Sequence, residues 1–201
     1  MKKHIGICLA LFLTVGLLTG CGAQVSRTTV HVKNNGKVVE NVAEDFDKEY
    51  YDEKELEKFI DQSVDEYTEE TGKKDVKVKG FSVKDKKAYL TMKYKSTDAY
   101  MDFNQETLYA GTIVQAIADG YTLPEEFYPV KDGKLKKTAT DKSIKENDEY
   151  KVIITSENLD VATGGEVCFV SRTDAKIVDG KTVSIQKENA DDTSLTYIIY
   201  K

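Results

Sequence analysis

The stretch that decides the fold class is DVKVKGFSVKDKKAYLTMKYK, residues 75–95. In its second half Ala88, Leu90, Met92 and Tyr94 alternate with Tyr89, Thr91 and Lys93, the two-residue period of a strand with one apolar face. In its first half Val76 and Val78 share one parity, but Phe81 and Val83 take the other. Gly80 therefore marks a bulge that resets the face. A polar turn at Asp85 and Lys86 joins the two runs, so the stretch reads as a β-hairpin.

Upstream lies DEKELEKFIDQSVDEYTEETG, residues 52–72. Leu56, Phe59, Ile60, Val64 and Tyr67 fall on one helical stripe, with Asp52 as cap, Glu55 closing a capping box and Gly72 at the exit. The outer face carries Glu53, Glu57, Asp61, Asp65, Glu66 and Glu69. Before the helix, TTVHVK (28–33) and KVVENVAEDF (37–46) flank Asn34-Asn35-Gly36, whose residues tolerate the positive φ of a hairpin turn. By that alternation His31 points away from Val30 and Val32, toward solvent. The first half thus reads hairpin, helix, hairpin.

Downstream, Ser96 caps a short helix over TDAYMDFNQ, and GTIVQAIADG has helical spacing at Ile113, Ala116 and Ile117, although its β-branched residues also suit a strand. Both prolines of the chain fall in YTLPEEFYPVKDGK, so residues 121–134 are the expected loop or subdomain joint. The last third reads as strands: EYKVIIT, EVCFVS, AKIV, KTVSIQ and LTYIIYK, with Asp179-Gly180 as a hairpin turn. Both parities of Val167–Val170 are apolar, which places that strand centrally, and the closing run is apolar enough to be held in the sheet. The expected class is α+β, mainly antiparallel sheet with two or three helices, in a single domain over residues 28–201.

The chain has 201 residues, 40% apolar and 32% charged, ordinary for a globular domain. Its first 21 residues are different. MKKH is a basic n-region, residues 5–18 (IGICLALFLTVGLL) carry no charge, and TGC is a small-residue exit, the three parts of a secretory signal. An uncharged run of that length makes a helix of roughly 21 Å, short of the ~30 Å hydrocarbon core.

Leu18, Thr19, Gly20 and Cys21, behind that apolar run, resemble the lipobox of bacterial lipoproteins. The resemblance covers residues 1–21 alone. It implies that a diacylglycerol is attached to the Cys21 thiol, that cleavage falls between Gly20 and Cys21, and that residues 1–20 are removed. Residues 21–27 then form a tether of about 20 Å, and two or three acyl chains hold a protein stably at a membrane. The style of the chain, rich in lysine and glutamate and without a disulfide pair, is similar to small lipoproteins of Gram-positive bacteria. The implied location is the outer face of the cell membrane.

Net charge is −6, and loss of Lys2 and Lys3 with the leader makes the remainder more acidic. Such a domain is repelled by nucleic-acid phosphates, so nucleic acid is not an expected partner. Of three cysteines, Cys8 leaves with the leader, Cys21 is assigned to lipid, and Cys168 is left as a small buried hydrophobe. With His31 the one histidine after the leader, no histidine pair offers metal-ligand spacing. No Cys pair, phosphate-binding loop or nucleophile-elbow serine is present either. No catalytic residue, metal or cofactor is assigned.

Three stretches remain as candidates. The acidic run 44–55, EDFDKEYYDEKE, offers oxygen ligands but lacks EF-hand spacing, and a solvated face at a helix N-terminus accounts for it. Gly164-Gly165 permits a close approach, which a connection between strands also explains. Tyr121, Phe127 and Tyr128 cluster around the prolines and are the candidate ligand-binding residues; otherwise their rings cover the core. The expectation is a non-enzymatic envelope module that binds a protein, peptide or glycan near the membrane. The alternatives are a carboxylate-based hydrolase of envelope polymers and an accessory subunit of an envelope transport assembly.

Overall fold

The structure, a computed structural model, describes residues 25–136, 144, 147–189 and 191–201. Gly20, Cys21 and the leader lie outside the described residues. Among those described, three helices and thirteen strands form an α+β fold built mainly of antiparallel sheet.

Strands β1 (Thr29–Val32) and β2 (Val38–Asp45) make the first hairpin, with Gly36 at φ 77° in its turn. Helix α1 (Glu53–Thr71) follows, capped by the Asp52 carboxylate, which accepts from the amides of Lys54 and Glu55, and closed by Gly72 at φ 69°. Glu55 does not return the bond to the Asp52 amide, so the cap is one-sided instead of a full capping box. Strands β3 (Val76–Lys84) and β4 (Lys87–Tyr94) form the second hairpin. Its turn residues Asp85 and Lys86 have φ of 51° and 60°, the left-handed pair of a type I′ turn. The register shift between Val78 and Gly80 is the bulge expected from the change of parity.

Helix α2 (Thr97–Asn104) starts at the Ser96 cap. The ambiguous segment that follows divides: β5 (Leu108–Thr112) is strand, and α3 (Ile113–Ala118) begins where Thr112 and Gln115 form a reciprocal capping box. Residues 121–134 are not all loop, because β6 (Tyr128–Lys131) and part of β7 (Lys134–Leu135) fall there. The remaining strands are β8 (Lys151–Thr155), β9 (Asp160–Ala162), β10 (Val167–Val170), β11 (Lys176–Asp179), β12 (Thr182–Ser184) and β13 (Thr196–Tyr200). The turn between β11 and β12 falls on Gly180 and Lys181, one residue later than expected, because the Asp179 carboxylate accepts from the Lys181 amide at 2.7 Å.

The strands form two sheets, ordered β11-β12-β9-β1-β2-β4-β3 and β5-β8-β13-β10-β6-β7. Every pairing is antiparallel except β1 with β9. Burial explains the arrangement. Val30, Val32, Val38, Met92 and Tyr94 of the first sheet share one apolar core with Ile60 and Tyr67 of α1, Tyr100 of α2, and Ile153 and Ile198 of the second sheet. The alternate residues Val152, Ile154, Tyr197 and Ile199 form a second core with Ile113, Ala116, Leu123 and Phe127. The second sheet is therefore covered on both faces, which its continuous apolar runs require.

Two expectations about single residues change. His31 is half-buried, because β1 is an interior strand between β2 and β9; burial pushes its pKa down and Lys33 adds to the effect. Cys168 is half-buried instead of core, because the register between β10 and β13 shifts around it and leaves it outside the ladder.

Candidate functional site

The three aromatic candidates do not form one patch. Phe127 is 1% exposed and fills the second core. Neighbours along an extended chain face opposite sides, so Tyr128 turns away from it, and its hydroxyl donates to Glu126 at 2.8 Å. Tyr121 is half-buried and packs against Tyr109, with ring centroids 4.8 Å apart and the planes tilted by 50°. Burial, with Asp119 alongside, pushes the Tyr109 phenol up to about 12.

Close to Tyr121 the structure places α3, whose helical spacing at Ile113, Ala116 and Ile117 was legible in the sequence. Ile113 and Ala116 bury one side of α3, and the other side leaves Val114 69% and Ile117 50% exposed. Three residues apart on a helix, these two are surface neighbours. Ile117, Tyr121 and Leu123 line an open concavity of about 350 Å³. Its rim is held in place by bonds from Tyr197 Oη to the Thr122 carbonyl at 2.9 Å and from the Tyr121 amide to the Ala116 carbonyl at 2.9 Å. A fixed loop beside exposed aliphatic side chains is suited to bind an apolar or aromatic group.

The paired carboxylates lie elsewhere, and the sequence reading missed them. Glu40 on β2 is 8% exposed. Its Oε2 accepts from the Tyr94 hydroxyl at 2.6 Å, and Tyr94 in turn accepts from Asn104 Nδ2 at 3.3 Å. The Tyr100 hydroxyl, fully buried, lies 3.5 Å from Glu40 Oε1 and 2.8 Å from Glu157 Oε1. It has one hydrogen to give, and the nearer carboxylate takes it. Burial pushes Glu40 up from the ordinary carboxylate range against its hydrogen bonds, and pushes Glu157 up to about 8.

Nearby, Lys187 is itself buried and spends its three ammonium hydrogens on the carbonyls of Ser156 (2.6 Å), Asp192 (2.8 Å) and Ser194 (2.8 Å). Glu40 sits inside the shared core, and the larger open concavity, about 420 Å³ between Lys134–Lys136 and Thr173–Ile177, is not lined by either carboxylate. The arrangement is a polar network joining β2, α2 and the segment after β8. One signal of it was legible: Glu40 has the parity of Val38, so a charge sits at an inward position of the strand.

The other candidates resolve into structure. In the acidic run Asp45 pairs with Lys87 at 2.7 Å and Asp47 with Lys48 at 3.1 Å, while Asp52 caps α1. Among the described residues no group of three or more His, Cys, Asp and Glu is placed to share a metal ion. Gly164 and Gly165 admit the chain itself: a Cβ at Gly164 would strike Asn34, and one at Gly165 would strike the Lys201 carbonyl. No protein-family model matches the chain, and comparison with curated proteins and with solved structures finds no significant match.

Proposed function

We propose that the chain is an exported lipoprotein, held at the outer face of the membrane through acylated Cys21, whose domain binds an envelope protein, peptide or glycan through the apolar surface of α3. The exposure of Val114 and Ile117 on one side of α3, with Ile117 lining a concavity together with Tyr121, is the observation that carries the binding reading. Aliphatic side chains left in water next to a fixed aromatic ring gain free energy when a partner covers them, about 25 cal/mol per Å² of apolar surface. The lipid anchor is supported by Leu18-Thr19-Gly20-Cys21 behind an uncharged run too short to span a bilayer.

Cross-linking in the producing cell, with the native chain compared with Val114→Asp and Ile117→Asp, tests the binding surface. Both positions are exposed, so the fold should survive the changes. Capture of the native partner should fall about tenfold or more, a loss of about 1.4 kcal/mol. Equal capture by native and variant chains would overturn the assignment. Release of Cys21→Ala from the membrane fraction, or its accumulation unprocessed, checks the anchor separately.

A further inference from the structure

The chain enters the fold at a fixed point. Arg27, expected in the tether, is built into the sheet: its Nη1 donates to Asp160 Oδ1 at 2.5 Å and Ser184 Oγ at 3.1 Å, and its Nη2 to the carbonyls of Asn158 (2.7 Å) and Ile185 (2.6 Å). Thr28 Oγ1 accepts from the Ala43 amide, so the entry lies beside the last residues of β2. Three residues separate Cys21 from Val25, the first described residue. Extended chain covers that distance in at most ~14 Å.

The same end of the domain carries an aromatic cluster in which Tyr50 is exposed and Phe46 and Tyr51 are half-buried. Residues 46–51 link β2 to α1, and the Phe46 amide donates to the Lys86 carbonyl at 2.7 Å, which fixes the link against the β3–β4 turn. Tyr51 packs 4.9 Å from Phe46 and 4.9 Å, edge-on, from Tyr50. Tyr50 is 79% exposed, the most of any large apolar or aromatic side chain described. Neither core includes it. This end is rich in carboxylates, Glu49, Asp52 and Asp85 among them, but Asp45 and Asp47 are paired with Lys87 and Lys48, Lys84 closes β3 opposite Lys87, and Lys86 stands in the β3–β4 turn.

We propose that the Phe46–Tyr50–Tyr51 cluster is a lipid-contacting surface that seats the domain end-on against the headgroup region of the bilayer to which Cys21 ties it. The inference rests on the lipid anchor and adds to it an orientation. Tyrosine rings partition to such interfaces because one end is apolar and the other is wet. A tether of ~14 Å keeps the cluster within reach, so that a contact too weak to form between separate molecules forms within one. The outer face of α1, with Glu57, Asp61, Asp65 and Glu69, runs away from this end and is repelled by anionic headgroups whenever the domain tips over. Attraction at the end and repulsion along the flank select one posture.

The chain has no tryptophan, so Tyr50→Trp supplies a single reporter at the cluster, and Asn35→Trp supplies one in the turn at the opposite end of β1. Each is made in the full lipidated chain and reconstituted into phosphatidylcholine–phosphatidylglycerol vesicles with brominated acyl chains. Tyr50→Trp fluorescence should shift to the blue and be quenched at least about twofold, with Asn35→Trp unchanged. Protein that sediments with the vesicles while both reporters stay unquenched, or are quenched equally, overturns the seating and leaves the anchor standing. Protein that carries no lipid and stays in the supernatant overturns the anchor, and the seating with it.

Discussion

Two groups of carboxylates in this molecule behave in opposite ways. The run at residues 44–55 is dense and conspicuous, yet apart from half-buried Glu44, which burial pushes upward, its members lie in water, pair with lysines or cap a helix; Asp47, with Lys48 bonded to it, is held below the ordinary range. Glu40, on β2, and Glu157, in the segment after β8, each have apolar residues close by in sequence, and burial around Tyr100 pushes both upward. The difference teaches that the electrostatic character of an acid follows from what surrounds it in space. Local abundance of carboxylates does not report it.

The sharpest way to break the contrast is Tyr100→Ala. This removes a fully buried ring packed 4.9 Å from Tyr94 and strips Glu157 of its hydroxyl donor. The domain should lose about 3–5 kcal/mol in urea denaturation, and a loss below about 1 kcal/mol would mean that the interior network holds little together.

The second effect is a pH slope. Folded Glu157, with its pKa near 8, keeps a proton that the unfolded chain releases from the ordinary value of 4.5. Its contribution to stability is therefore complete below the ordinary carboxylate range and is lost as pH rises toward 8. The slope is at most about 1.4 kcal/mol per pH unit and flattens beyond. Glu157→Gln keeps an acceptor for Tyr100 without a charge, and should be level with the native chain at pH 5 and more stable at pH 9. Parallel slopes for the two proteins would remove Glu157 from the account.

The exterior acids should respond far less. Asp52→Ala, which frees the amides of Lys54 and Glu55, should cost about 1 kcal/mol of thermal stability. Glu57→Gln, on the solvent face of α1, should change stability by less than about 0.5 kcal/mol, and raising the salt concentration should shrink even that.

Elements with a period were legible in the sequence. Helix α1, the two N-terminal hairpins, the bulge at Gly80 and strands β8, β10, β11, β12 and β13 announce themselves through alternation, apolar runs, caps and turn residues. What escaped has no period to show. Strand β9 is three residues long and exists because β1 and β12 flank it. Strand β6 carries Pro129, which suggests a loop, but it closes onto β10 on one side and a two-residue β7 on the other. At the candidate surface Tyr121 was legible and the exposure beside it was not: Ile113, Ala116 and Ile117 share a helical spacing, but Ile113 and Ala116 are buried while Ile117 is half exposed. The Glu40–Tyr100–Glu157 network joins residues more than a hundred positions apart, and of it only the misplaced parity of Glu40 could be read.

The place of β13 in the second sheet has a consequence in time. Strands β8 and β10 each bond to β13 and not to one another, and all five residues of β13 are buried. Until residues 196–200 arrive, that sheet is two fragments, each with an open edge, and the core it shares with the first sheet has no floor. Such late, non-local closure makes folding slow and delays it until synthesis has passed this strand. The chain that emerges first is thus kept threadable, a useful property if it has a membrane to cross before it folds.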